Sequence, residues 1–163
     1  MKNILVTIDF EKGTNRLIEE AFEFGRKFGS KIWLLHVAAP DSDFVSYAVG
    51  PQNEIDFRSD ELDKERQIIQ QFVRQLKEAG VPAEGLLIKG PTIETILRKI
   101  ENLDIDLVII GHHKYNLFYK TFVGNTDVAL ANRSKIPVLL IPLNNGFIAE
   151  TLPARTEEQT IAF

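Results

Sequence analysis

The chain has no cysteine, one tryptophan, one methionine and three histidines among its 163 residues. Without thiols, disulfides, thiolate metal sites and cysteine nucleophiles are excluded. No apolar run approaches the ~20 residues that span a bilayer as a helix. Basic charge is not in excess either. Lys and Arg total 19 against 23 Asp and Glu, giving a net charge of −4 and a pI near 5.4. Nucleic-acid binders normally present a basic face, so that class is not expected. A local anion site stays open, because a few backbone N–H groups can hold a phosphate on an acidic protein. Met1 to Val6 is followed at once by Asp9, Glu11 and Lys12. That leaves no room for the apolar core of a signal peptide, and the cytoplasm is the expected compartment.

The apolar and charged shares, 44% and 26%, are those of a globular chain. Its length suits one domain that buries a core unaided. Lys2 to Asp9 reads as a buried strand ending in the turn residues Glu11-Lys12-Gly13. Thr14 or Asn15 can cap a helix whose Leu17, Ile18, Ala21, Phe22, Gly25 and Phe28 recur at helical spacing, with Gly29 as its stop. Lys31 to Val37 is a second buried strand, and Ala38 to Glu54 a long loop punctuated by Pro40, Gly50 and Pro51. A helix to about Ala79 carries Leu62, Ile69, Phe72, Val73 and Leu76 on one stripe. The third strand lies within Pro82 to Lys89. Thr92 then caps a helix with Ile93, Ile96, Leu97 and Ile100 on one face. Ile105 to Gly111 is the fourth strand, Asn125 to Asn132 a short helix, and Ile136 to Ile141 the fifth strand. Residues 1–143 form the expected domain, and 144–163, polar and without period, a flexible tail. Continuous apolar strands alternating with helices imply an α/β fold, an open parallel five-stranded sheet covered on both faces.

In such sheets ligands sit beyond the carboxyl ends of the strands, where the strand order reverses. The residues just past each strand are therefore the candidates: Asp9, Val37 with Ala38, Lys89-Gly90, and Gly111-His112-His113-Lys114. Gly111 lets the backbone leave its strand with no Cβ in the way. Gly124 can do the same where the chain enters the next helix, at whose start Asn125 and Thr126 offer side-chain donors beside free N–H groups. Asn125 reads equally as a helix cap, and Lys114 either as a solvated loop lysine or as a point charge for a phosphate. Asp9 either accepts from an exocyclic amine or is satisfied by nearby backbone. His36, His112 and His113 read as satisfied polar side chains, since a zinc site needs three or four converging ligands. Tyr115, Leu117, Phe118, Tyr119, Phe122 and Val123 are expected to cover the core above the fourth strand. Phe44 and Tyr47 read as a disordered loop or a lid.

The opening NILVTID, the middle LLHV and the stretch GHHKYNLFYKTFVGNTDVALANRSKIPVLLIP resemble the universal stress protein family, over nearly the whole chain to about Pro142. The resemblance implies strand order 3-2-1-4-5, an adenine nucleotide alpha hydrolase-like arrangement. It also implies a site for ATP or AMP, with Mg²⁺ accompanying ATP. Asp9 and Val37 would face the adenine, and the Gly111–Thr126 loop would hold ribose and phosphates. The implied set is Ile8, Asp9, Val37, Gly111, His112, Lys114, Gly124, Asn125 and Thr126. Gly111 and Gly124 stand at two positions of the family's glycine motif, whereas Lys114 replaces a glycine and Asn125 a Ser or Thr. The histidine pair also resembles members whose motif has decayed. A further implication is a homodimer formed through the edge strand Ile136–Ile141, with no nucleic-acid or membrane partner. The expected function is a stress-response protein that binds its ligand rather than transforming it. An interaction protein with an empty crevice and a slow ATP hydrolase are the alternatives.

Overall fold

The computed structural model describes residues 1–10, 13–38, 51–113 and 126–143. Phe44 and Tyr47 of the expected long loop, the apolar run 115–123, Lys114, Gly124, Asn125 and the tail from Asn144 all lie outside the described residues. Strands β1 (Asn3–Thr7), β2 (Lys31–Ala38), β3 (Ala83–Lys89), β4 (Leu107–His113) and β5 (Val138–Leu143) alternate with helices α1 (Thr14–Phe28), α2 (Pro51–Glu78), α3 (Thr92–Asn102) and α4 (Thr126–Arg133). The strands pair in parallel in the order β3-β2-β1-β4-β5.

Alternation along the strands divides the core in two. Ile4, Val6, Leu34 and Ile109 pack with Leu17, Ile18 and Phe22 of α1 and Ile69 and Leu76 of α2. Leu5, Leu35, Val108 and Ile110 pack with Ile96 and Ile100 of α3 and Leu130 of α4. Ile4, Leu5 and Val6 are wholly buried, each worth ~1.5–3 kcal/mol of burial. A polar residue at any of them would face a closed core.

Several boundaries differ from those expected, for local reasons. β1 stops at Thr7, and Phe10 (φ 61°) turns the chain away three residues later. The N-cap of α1 is Gly13, in the left-handed region at φ 111°, and Thr14 is the first helical residue, buried. At the other end Gly29 closes α1 as expected, while Phe28 is exposed rather than on the apolar face. α2 begins at Pro51, inside the expected loop, because proline at a first helical position loses no intrahelical hydrogen bond. Pro91, not Thr92, precedes α3 as its N-cap. β4 starts at Leu107 rather than Ile105, whose N–H bonds back to Ile100 at the end of α3. At its other end β4 runs on through His112 and His113, paired with Pro142 and Leu143 of β5. β5 is likewise displaced, spanning Val138–Leu143 and including Pro142. Proline, lacking an N–H, is tolerated in an edge strand.

At the amino end of the sheet the Asp106 carboxylate accepts from the backbone N–H groups of Asn3 (3.0 Å) and Lys2 (2.5 Å). The Asn3 amide first and then that of Lys2 hold its pKa below the ordinary aspartate value. A carboxylate with a lowered folded pKa stabilises fully above its unfolded value, and that stabilisation is lost as pH falls through the folded one. Thermal melts should therefore show Asp106→Asn losing less stability than the natural chain as the pH falls below the ordinary aspartate value of about 4. Parallel acid limbs would contradict this. Gly85 tests the packing beneath α2, since a Cβ there would fall 2.3 Å from Ile69 Cγ2. Gly85→Ala should cost ~1–3 kcal/mol in urea unfolding, and combining it with Ile69→Ala should cost less than the two changes summed.

Candidate functional site

Strand order reverses beside β1, which lies between β2 and β4. Thr7 pairs with Leu35 on one side and Ile110 on the other. Both ladders end there, with Asp9 two residues beyond β1, Val37 two residues further along β2 and His112 two further along β4. Three expected site residues thus lie at or just past the carboxyl ends of three neighbouring strands. Val37 packs with the α3–α4 core and Ile8 with the α1–α2 core, so the sheet separates members of the expected set. Asp9 is exposed, while Ile8 is buried.

Below Ile8 lies a cluster that the sequence did not disclose. The Ile8 N–H donates to the Leu35 carbonyl (2.9 Å), and the Ile8 carbonyl accepts from His36 Nδ1 (2.7 Å). A carbonyl only accepts, so Nδ1 carries the proton. Nε2 then faces Glu65 Oε2 at 3.7 Å, an ion pair only when the ring is charged. The Phe10 ring lies 4.5 Å from the His36 ring. Its left-handed backbone costs ~1–2 kcal/mol, offset by packing of the ring against the core.

Gly111 proves to be a packing residue of β4, paired with Ile141, and not the point where the chain leaves the strand. A Cβ there would lie 2.4 Å from Leu143 Cδ1. The same leucine approaches within 3.0 Å of a Cβ built on Gly13. Leu143, at the end of β5, thus fills the space that both glycines leave, on the α1 side of the sheet.

On the opposite side His112 Nδ1 bonds to Asp127 Oδ2. Asp127 is buried in the first turn of α4, and its other oxygen accepts the Val128 N–H at 2.8 Å. Two residues joined in this way carry β4 directly to the start of α4, where Thr126 is half-buried. Lys114, Gly124 and Asn125 belong to the same expected loop but lie outside the described residues. Among the described residues no group of three or more His, Asp or Glu could hold a metal ion, and no helix is long and apolar enough to cross a membrane.

Sequence reasoning overlooked Phe10, Glu65, Asp127 and Leu143. Asp127 alone had a local signal, an acid in the first turn of an expected helix. The others act through contacts between distant segments.

The profile of the Universal stress protein family matches residues 1–142. Universal stress protein A of Escherichia coli K12 is 27% identical over 149 residues, spanning 88% of this chain and 96% of its own. A universal stress protein family protein of Arabidopsis thaliana, solved with AMP bound, superimposes with a TM-score of 0.62 at 21% identity, over 89% of this chain and 94% of that one. A universal stress protein solved in complex with cAMP gives a TM-score of 0.63 at 17% identity, over 88% of this chain and 98% of that one. With the strand order, the paired register and a match along nearly all of its length, this chain belongs to the universal stress protein family.

Proposed function

We propose that this protein is a cytoplasmic stress-response module that binds an adenine nucleotide, ATP or AMP, with Mg²⁺ accompanying ATP. The observation that carries this reading is the reversal of strand order between β2-β1 and β4, with Asp9, Val37 and His112 at the carboxyl ends of those three strands. Open parallel sheets take their ligands at such a point. The two solved relatives that hold AMP and cAMP support the choice of an adenine ligand. In this reading Ile8, Asp9 and Val37 line the adenine end, while Gly111, His112, Lys114, Gly124, Asn125 and Thr126 serve the ribose and phosphates. The binding domain is residues 1–143, with 144–163 as an appended tail.

A second reading, an interaction protein of the same fold, is favoured by Leu143, which occupies the space beside Gly111. Isothermal titration separates the two. Saturable heat is expected with AMP and with ATP–Mg²⁺, weakened about tenfold by Asp9→Ala through loss of a charge-assisted hydrogen bond. No heat and no thermal shift at millimolar nucleotide would leave the interaction reading standing.

The proposed partner is a second copy of the chain, docked along β5. This strand pairs with β4 at the end of the sheet order, and an unpaired apolar edge invites another strand. Leu140 of β5 and Val128 of α4 are large apolar side chains left exposed, at 39% and 45%, on two elements that pack together. Light scattering should report a dimer for the natural chain and a monomer or aggregate for Leu140→Lys. An unchanged dimer in the variant would refute docking at this edge.

A further inference from the structure

Two residues of the segment that follows β1 are held by one side chain. The Ile8 carbonyl, part of the peptide group that joins Ile8 to Asp9, accepts from His36 Nδ1 at 2.7 Å. On the other side of Asp9, the Phe10 ring lies against the same imidazole, with centroids 4.5 Å apart and planes inclined at 46°. Asp9 itself is exposed, between buried Ile8 and half-buried Phe10. Its backbone is thus bracketed, one residue before and one residue after, by a ring that belongs to β2.

Three observations make the bracket stiff. The β1–β2 pairing stops at Thr7 and Leu35, and the Ile8 N–H still bonds to the Leu35 carbonyl at 2.9 Å, so the ring takes over where regular pairing ends. The His36 side chain is 14% exposed and that of Glu65 on α2, 3.7 Å from Nε2, is 18% exposed, which leaves the imidazole little room to turn. Phe10 keeps φ at 61°, a state that a residue with a Cβ holds only where its surroundings impose it. Packing of its ring on His36 and on the α1–α2 core imposes it here. Backbone strain of this kind clusters at ligand sites.

Resting on the nucleotide reading of the crevice, we propose that His36 is the positioning residue of Asp9, and that it thereby sets the preference for a purine carrying a 6-amino group over one without it. The amine donates to the carboxylate, and a ligand that lacks it leaves that acceptor unpaired. Asp9 is engaged within the protein as well. The two oxygens of a carboxylate offer about four acceptor sites, room for a protein donor and a ligand amine together. A displacement of ~1 Å stretches a hydrogen bond past its working range, so the aim of the carboxylate decides whether the amine is read.

Titration calorimetry of the full chain tests this with AMP and with purine riboside 5′-monophosphate, which lacks only the 6-amino group. Both carry the same phosphate, so the ratio of their affinities reports the amine alone. The natural protein should bind AMP about tenfold more tightly, as a hydrogen bond to a charged acceptor provides, and Asp9→Ala should lose that preference. His36→Phe keeps a ring beside Phe10 but cannot donate to Ile8. It should narrow the preference to less than about threefold while its affinity for the deaminated analogue stays within about twofold, which also shows that the variant is folded. His36→Asn, whose amide donates from nearly the place of Nδ1, should restore most of the preference. Phe10→Leu leaves the imidazole in place and removes the ring against it. It should narrow the preference in the same direction, and it decides the matter should His36→Phe not fold. A preference lost in Asp9→Ala but unchanged in His36→Phe, or in Phe10→Leu, overturns the role of His36 and leaves the crevice reading intact. Equal affinity of the natural chain for the two nucleotides overturns it as well. If the natural chain binds neither, the crevice reading fails and this assignment with it.

Discussion

Two-sided burial of β1 governs the architecture. Ile4 and Val6 face α1 and α2 while Leu5 faces α3 and α4, all three without solvent contact. A strand apolar on both faces needs helices on both sides, and right-handed crossovers meet that need only if successive connections leave β1 in opposite directions. The chain runs outward to β2 and β3 under one helical layer, then returns to β4 and β5 under the other. The gap beyond β1 is thus a by-product of covering the core, present before any ligand-binding side chain is chosen.

What lines the gap differs on its two sides. On the α1–α2 side the carboxyl ends are closed by packing: the Phe10 ring on His36, and Leu143 in the space of Gly111 and Gly13. On the α3–α4 side they carry polar chemistry, with His112 and Asp127 joining strand to helix. The sheet thus sets an apolar seal against a hydrogen-bonded histidine–aspartate pair. Since buried Asp127 has both oxygens engaged, the ring it holds is also fixed in orientation.

Much of this fold can be read from the chain in order. Uninterrupted apolar strands, Gly29 as a helix stop and the helical stripe on α2 each announce a local preference, and each appears in the structure. The strand order itself came from family resemblance, because parallel pairing leaves no mark on the segments it joins. Boundaries moved where a neighbour intervened. Ile105 was drawn into the end of α3 by the Ile100 carbonyl, and β4 gained two residues at its other end. Asp9, Val37 and His112 could be picked out as strand-end residues, but their being neighbours depends on pairing between strands far apart in sequence. Gly111 shows the limit most plainly. It was legible as a residue needing no side chain, and illegible as to what fills the room, since Leu143 lies 32 positions downstream.

Leu143 ties the edge of the sheet to its interior. Its backbone continues the strand that exposes Leu140 three residues earlier, and its side chain is wedged between Gly111 and Gly13. A tightly packed interior passes displacement on instead of absorbing it. Side-chain room at Gly111 or Gly13 can therefore be gained only by displacing the end of the edge strand itself.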